Sequence, residues 1–183
     1  AFDLCNLRNL RLKSPRIKIY RMDELQKGLA ISISGAPRDA ALRRFQAEIV
    51  RWGLALPPVE PLVLDFGLGD FDRTGLIEYW IANETGAGYC GKYLFVLAGQ
   101  TCPMHRHKTK HETFFLLEGR LDVACDGRHL VLERGGVLPI ETGRYHAFTG
   151  LVPSLLLELS MPCAIDDNYF ENPAIPIGGN YRG

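Results

Sequence analysis

The chain has 183 residues, 46% of them hydrophobic and 23% charged, and its 21 Lys and Arg balance its 21 Asp and Glu. Such values describe one globular domain, with or without an appendage, and exclude disorder, collagen and coiled coil. Zero net charge removes the field that non-specific nucleic-acid binding needs, so function has to come from a site.

Ala1–Leu12 carries Asp3, Arg8 and Arg11 and lacks an uninterrupted apolar core, so it does not read as a signal peptide. No stretch approaches the roughly 18 apolar residues of a membrane span, and no membrane partner is expected. Met22–Leu29 reads as a short helix closed by Gly28. From Pro37 to Leu54, Leu42, Phe45, Ile49 and Trp52 recur at steps of three and four, which predicts an amphipathic helix with Pro37 near its first turn. Phe45 and Trp52 are expected to cover one end of whatever follows. The run Leu56-Pro-Pro-Val-Glu-Pro61 breaks the chain. Residues 1–60 are accordingly an N-terminal extension, and residues 61–183 the main body.

After Pro61 short β-branched and aromatic runs alternate with glycines. Strands are predicted at Leu62–Phe66, Leu76–Ala82, Lys92–Ala98, Glu112–Leu117, Arg120–Cys125, His129–Leu132, Val137–Ile140, His146–Thr149 and Ser154–Leu159. That spacing indicates an all-β sandwich or barrel. Asp126-Gly127-Arg128 marks a hairpin, Asp65-Phe-Gly-Leu-Gly-Asp70 a tight turn, and the tail from Asp166 a loop or strap. Five scattered cysteines (Cys5, Cys90, Cys102, Cys125, Cys163) form no C-x-x-C pair, and are expected to be reduced thiols of a cytoplasmic protein.

The chemistry is concentrated after Gly99. His105 and His107 are two apart, a spacing that on a strand points both imidazoles to one face. Glu112 follows after a short turn and His146 comes from a later strand. Three imidazoles and a carboxylate with open positions suit a first-row divalent ion, Mn2+, Fe2+, Co2+, Ni2+ or Zn2+, and ligand type alone does not choose among them. His111 should face away from the pair, and it and His129 are expected to be partly buried structural residues. Glu158 stands in the apolar run Leu155–Leu159, where an unpaired carboxylate costs several kcal/mol, so a paired or functional setting is favoured. Alternation puts Leu155, Leu157 and Leu159 on the opposite face from it.

Gly99-x5-His105-x-His107-x4-Glu112-x6-Gly119 resembles the first cupin motif at every fixed position, and Gly136, Pro139, Gly143 and His146 resemble the second. Gly143 falls four residues after Pro139 where two is usual, and Gly150 stands where Asn is common. The resemblance implies a single cupin-type β-barrel, a double-stranded β-helix or jelly roll, with His105, His107, Glu112 and His146 on the metal. A narrower likeness to the D-lyxose isomerase family runs from Val63 to Pro173. Its carriers are Asp65-Phe-Gly-Leu-Gly, Gly75-Leu76, Tyr89-Cys90-x-Lys92, Gly99-Gln-Thr-Cys-Pro-x-His-Arg-His, Lys110-x-Glu112-Thr-Phe and Glu158-Leu-Ser160. Members of that family have a longer insertion around the later ligands, where this chain is compact.

That likeness implies isomerisation of a free monosaccharide, D-lyxose to D-xylulose with D-mannose to D-fructose as a side activity, through a cis-enediol. It assigns proton-handling roles to Lys110 and Glu158. The rival readings are a metal-dependent cupin dioxygenase, a non-catalytic sugar-binding cupin and a phosphosugar isomerase, for which no phosphate nest is visible. A homodimer is left open.

Overall fold

A computed structural model describes residues 20–179, with side chains from residue 24 onward. The reading of Ala1–Leu12 and the thiol of Cys5 lie outside the described residues. Two helices, α1 (Tyr20–Ala30) and α2 (Gly35–Trp52), precede eleven strands. The strands are β1 (Leu62–Leu64), β2 (Leu76–Glu84), β3 (Tyr89–Val96), β4 (Thr101–Arg106), β5 (Glu112–Glu118) and β6 (Arg120–Cys125), then β7 (Arg128–Glu133), β8 (Val137–Ile140), β9 (His146–Gly150), β10 (Ser154–Ser160) and β11 (Tyr169–Phe170). They form a six-stranded sheet, β1-β2-β3-β10-β5-β8, and a five-stranded sheet, β11-β4-β9-β6-β7. The strand pattern's all-β body is formed, and its two sheets make the jelly-roll barrel that the cupin resemblance implies. Among the described residues no helix is long and apolar enough to cross a membrane.

Alternation sorts the barrel's side chains. Inward positions such as Leu94, Phe114, Leu116, Leu121, Val123 and Phe148 build the interior core. A second core lies on the outer face of the six-stranded sheet, where Phe45 and Ile49 of α2 settle on Val63, Ile77, Phe95 and Leu155. The Phe45 and Phe95 ring centroids are 4.4 Å apart. The helix therefore covers a sheet face, not an end of the barrel as expected. β2 is buried on both faces for this reason, which explains why Leu76–Trp80 reads as nearly continuous apolar sequence. Gly53, in the left-handed region, ends α2 by donating its backbone N–H to Val50 O.

The hairpin at Asp126-Gly127 is formed as predicted, with φ of 48° and 73° at its two central residues and β6 and β7 paired on either side. Asp65 receives the Gly67 and Gly69 N–H groups in the predicted tight turn. Two strands are absent from the sequence reading: β4, whose Thr-Cys-Pro-Met-His-Arg has weak strand character, and the two-residue β11, which the expected tail contributes to the second sheet.

Gly28 is corrected too. It does not close α1, which continues to Ala30, but is buried against β1. A Cβ there would lie 2.6 Å from Leu62 Cδ1. Gly28→Leu is accordingly expected to destabilise the fold by about 1–3 kcal/mol through overpacking. A lowered urea midpoint with an unchanged slope would register it; an unchanged midpoint would refute the close approach.

Candidate metal centre

Four sequence-predicted residues converge inside the barrel. His105 is the penultimate residue of β4, His107 lies just past that strand, Glu112 opens β5 and His146 opens β9. All four are buried, and one ligand atom from each can be chosen so that all lie within 4.8 Å of one another. His105 and His146 are direct register partners across β4 and β9, with ring centroids 4.2 Å apart. The pairing of β4 with β9 shifts register between Cys102 and His105, an irregularity that re-aims the histidine-bearing end. His107 keeps the orientation expected of a strand residue although it stands outside the strand.

The second nitrogen of each ring explains this. His105 Nδ1 lies 2.8 Å from Pro103 O, His107 Nδ1 3.0 Å from Asp167 O and His146 Nδ1 3.0 Å from Arg144 O. A carbonyl only accepts, so each Nδ1 carries the proton and each Nε2 presents a lone pair. His107 Nε2, His146 Nε2 and Glu112 Oε1 are buried without a hydrogen-bond partner. His146 Nε2 and Glu112 Oε1 nevertheless face each other at 2.7 Å. Lone pairs facing at that distance call for a cation between them. Ligand atoms on one ion at about 2.1 Å lie at most about 4.2 Å apart, so contraction by a few tenths of an ångström closes the set. The residues fit a divalent ion.

The electrostatics agree. Burial, then the neighbouring His146 and His107, hold His105 well below its ordinary pKa. Burial, followed by the Lys110 charge, lowers His107 to about 4. Burial pushes the Glu112 carboxyl up, but the Lys110 ammonium beside it outweighs this and holds the group well below the carboxylate range. At neutral pH His105 and His107 are thus neutral donors and Glu112 is an anion.

Behind the ligands runs a buried ionic chain. Lys110 Nζ lies 2.5 Å from Glu112 Oε2 and 2.9 Å from Glu158 Oε1. Lys92 Nζ lies 3.2 Å from Glu158 Oε2 and 3.6 Å from Glu78 Oε2, which also accepts the Trp80 indole N–H at 2.7 Å. Ser160 Oγ donates to Glu158 Oε1 at 2.8 Å. Burial alone would raise Glu158, but Lys110 and then Lys92 lower it, so the carboxylate stays ionised. Burial likewise opposes the charge on Lys110, and Glu112 and Glu158 raise it in compensation. Leu157 and Leu159, flanking Glu158 in the chain, turn outward as alternation requires.

Sequence reasoning did not assign Lys92, Glu78 or Asp167. The signal available for Lys92 and Glu78 was the one that singled out Glu158, a charge inside an apolar strand. Asp167 receives the backbone N–H groups of Lys108, Thr109 and Lys110 at 3.0–3.2 Å and the Thr109 hydroxyl at 2.6 Å. It thereby ties the tail to the loop between His107 and Glu112. His111 and His129 are exposed, not partly buried; His129 sits beside Asp122 on the barrel surface. All four cysteines among the described residues are free thiols.

His105, Glu112 and the ionic chain line a cleft of about 350 Å³, open volume at its mouth included. Its lining mixes charged side chains, Glu78, Lys92, Lys110, Glu112 and Glu158, with apolar ones, Phe66, Phe114, Phe148 and Phe170 among them. Such a mixed lining suits a small ligand that offers both hydroxyls and apolar surface.

Residues 93–158 match the cupin domain family, and residues 62–116 match the D-lyxose isomerase family. Over 71 residues the chain is 41% identical to the D-lyxose/D-mannose isomerase of Thermosediminibacter oceani. The alignment covers 36% of this chain and 38% of that protein, so it spans well under half of the relative's length. Among solved structures, the L-ribose isomerase of Acinetobacter sp. DL28 in complex with L-ribose superposes with a TM-score of 0.64 at 15% identity, over 79% of this chain and 95% of that one. The L-ribose isomerase of Cellulomonas parahominis with L-psicose gives 0.66 at 17% identity, over 84% and 98%. At these identities the likeness is one of fold.

Proposed function

Because this chain carries a cupin domain related in sequence to the D-lyxose isomerases, we propose that it is a metal-dependent aldose–ketose isomerase acting on a free monosaccharide. Its reaction is D-lyxose to D-xylulose, with D-mannose to D-fructose as a side activity. The observation that carries this reading is the adjoining of a three-histidine, one-carboxylate set and a second carboxylate, Glu158, held ionised between two ammonium groups. A metal-binding module needs only the first.

His105, His107, Glu112 and His146 hold the ion, which we take to be Mn2+. When bound, it supplies Lewis-acid polarisation of the sugar carbonyl and offsets the charge that develops on the sugar oxygens. Glu158 takes the proton from C2 and returns it at C1, and the O2 hydroxyl proton passes to O1, with the cis-enediol between the two carbon transfers. Lys110 stands between Glu112 and Glu158 and donates to a sugar oxygen. Lys92 holds the other Glu158 oxygen and so fixes the carboxylate's plane. Both ammonium groups are committed to carboxylates, which supports a free sugar over a phosphosugar. The free thiols support a reducing, cytoplasmic setting.

Proton NMR of the Mn-loaded protein with D-lyxose and D-mannose in D2O tests the reading. Ketose carrying deuterium at the transferred position is expected. Ketose without deuterium keeps isomerisation but removes the exchanging base. Absence of turnover on both sugars from folded, metal-loaded protein would overturn the substrate assignment.

Asp167→Asn replaces one of the oxygens that receive the loop's N–H groups by an amide that cannot accept. Outer-shell changes of this kind cost about 10–100-fold in metal affinity. We expect a loss in that range by competition with a chelator, with the circular dichroism unchanged. Full retention of affinity would show that the tail does not order the loop.

A further inference from the structure

We propose that Glu24 of α1 is a positioning residue for the metal centre: it clamps the turn that carries Asp167 and so fixes His107 and the loop after it. This role rests on the reading of His105, His107, Glu112 and His146 as metal ligands. α1 lies outside both stretches that match the cupin and D-lyxose isomerase families.

His107 depends on the tail in a way the other two ring ligands do not. His105 and His146 are each oriented by a carbonyl two residues back in the chain, Pro103 O and Arg144 O. His107 Nδ1 instead meets Asp167 O, 60 residues away. Its ring is therefore only as well placed as the 3-10 turn Ile165–Asp167. Ala164, which precedes that turn, has no side chain that can cap it. The cap comes from 141 residues earlier, where Glu24 Oε2 accepts the Ile165 N–H at 2.6 Å. Glu24 Oε1 holds Lys27 Nζ at 2.9 Å, and Lys27 reaches Asp166 Oδ2 at 2.8 Å. The Glu24 side chain is 18% exposed, against 42% for Lys27 and 72% for Asp166. The amide contact is thus the sheltered one, while the Lys27–Asp166 pair lies at the surface, where such pairs contribute little.

The clamp has a firm base and a stiff arm. Leu25 and Leu29 of α1 pack on the barrel core, as Ile165 does, and Gly28 lets the helix lie against Leu62. The turn is closed on itself: Asp167 N–H donates to Ala164 O at 3.1 Å, and Asn168 N–H to Ile165 O at 3.2 Å. The Asn168 side-chain amide donates to the Ile165 and Ala164 carbonyls at 2.9 and 3.2 Å. Two residues past the clamped amide, Asp167 gathers the Lys108, Thr109 and Lys110 N–H groups. Freeing Ile165 therefore loosens that loop and the His107 ring together.

Chelator competition for Mn2+ and amide hydrogen exchange at Lys108–Lys110 test this on the full chain. Glu24→Ala is expected to weaken Mn2+ binding at least about threefold, short of the 10–100-fold that follows loss of a ligand's immediate partner. Exchange at Lys108–Lys110 is expected to quicken by a similar factor, with β6 and β7 unchanged. Glu24→Gln, whose amide oxygen still accepts the Ile165 N–H, and Lys27→Ala are expected to stay within about twofold of wild type. Phe45→Leu, in the core under α2, is expected to lower the melting temperature and leave Mn2+ affinity unchanged. A glutamine variant as weak as the alanine one overturns the proposal, and so does a Phe45→Leu variant that loses Mn2+ as readily. Unchanged exchange at Lys108–Lys110 in Glu24→Ala, alongside intact Mn2+ binding, overturns the clamp and spares the metal centre. Wild-type protein that binds no Mn2+ overturns the metal reading and this role with it.

Discussion

Glu158→Gln is expected to lower isomerase turnover by about 10²–10⁴-fold, the range that a positioned general base contributes. Glutamine keeps the size of the side chain and, through its amide oxygen, a contact with the Lys110 ammonium, but removes the negative charge and the ability to take up a proton. The four metal-binding side chains are untouched, so metal content should be unchanged. Loss of one carboxylate leaves Lys92 and Lys110 with Glu78 and Glu112 alone, and breaking a buried pair costs about 3–5 kcal/mol. A lower melting temperature is therefore part of the expectation and does not by itself identify the base. The discriminating readout is exchange of the sugar's C2 hydrogen with solvent at saturating sugar. It should fall together with turnover while KM moves little. A glutamine variant that still exchanges C2 hydrogen at the wild-type rate would remove Glu158 from the chemistry.

His146→Ala should weaken metal binding by more than the 10–100-fold typical of an outer-shell residue, because it deletes a donor itself. Titration calorimetry in two buffers of different ionisation enthalpy checks the remaining ligand set. His107 has its pKa lowered to about 4, so at pH 7 its Nε2 is already unprotonated and binding displaces no proton from it. Protonation of His107 should therefore not weaken metal binding until the pH falls toward 4, where protons compete for that nitrogen. Release of several protons at pH 7 would contradict the arrangement. So would a variant that retains Mn2+ at wild-type affinity.

The ligand set was legible because a barrel enforces alternation. His105 and His107 share a face, Glu112 comes back on β5 in the other sheet, and His146 opens the strand paired with β4. Glu158 was legible for a different reason, since a carboxylate among leucines has to be paid for by its surroundings. Lys92 and Glu78 obey the same logic, but Tyr-Leu-Phe-Val and Tyr-Trp-Ile beside them read simply as strand. Asp167 left no local trace, because its partners are backbone N–H groups almost sixty residues earlier and any residue type supplies those. The placement of α2 was hidden likewise. Its apolar stripe required a partner, and only the pairing of β2, β3 and β10 shows that the partner is the outside of a sheet.

β10 lies between β3 and β5 in the six-stranded sheet, although both are made long before it. During synthesis at about 5–20 residues per second, β3 waits on the order of 3–13 s for this neighbour. Until then the hairpin of β2 and β3 and the segment of β5 present open edges, and Lys92 and Lys110 have no Glu158. The chain thus closes its barrel and acquires the Glu158 links of its ionic chain in one late event. Truncations that stop before Ser160 should remain chaperone-bound, and slow non-local closure should dominate refolding.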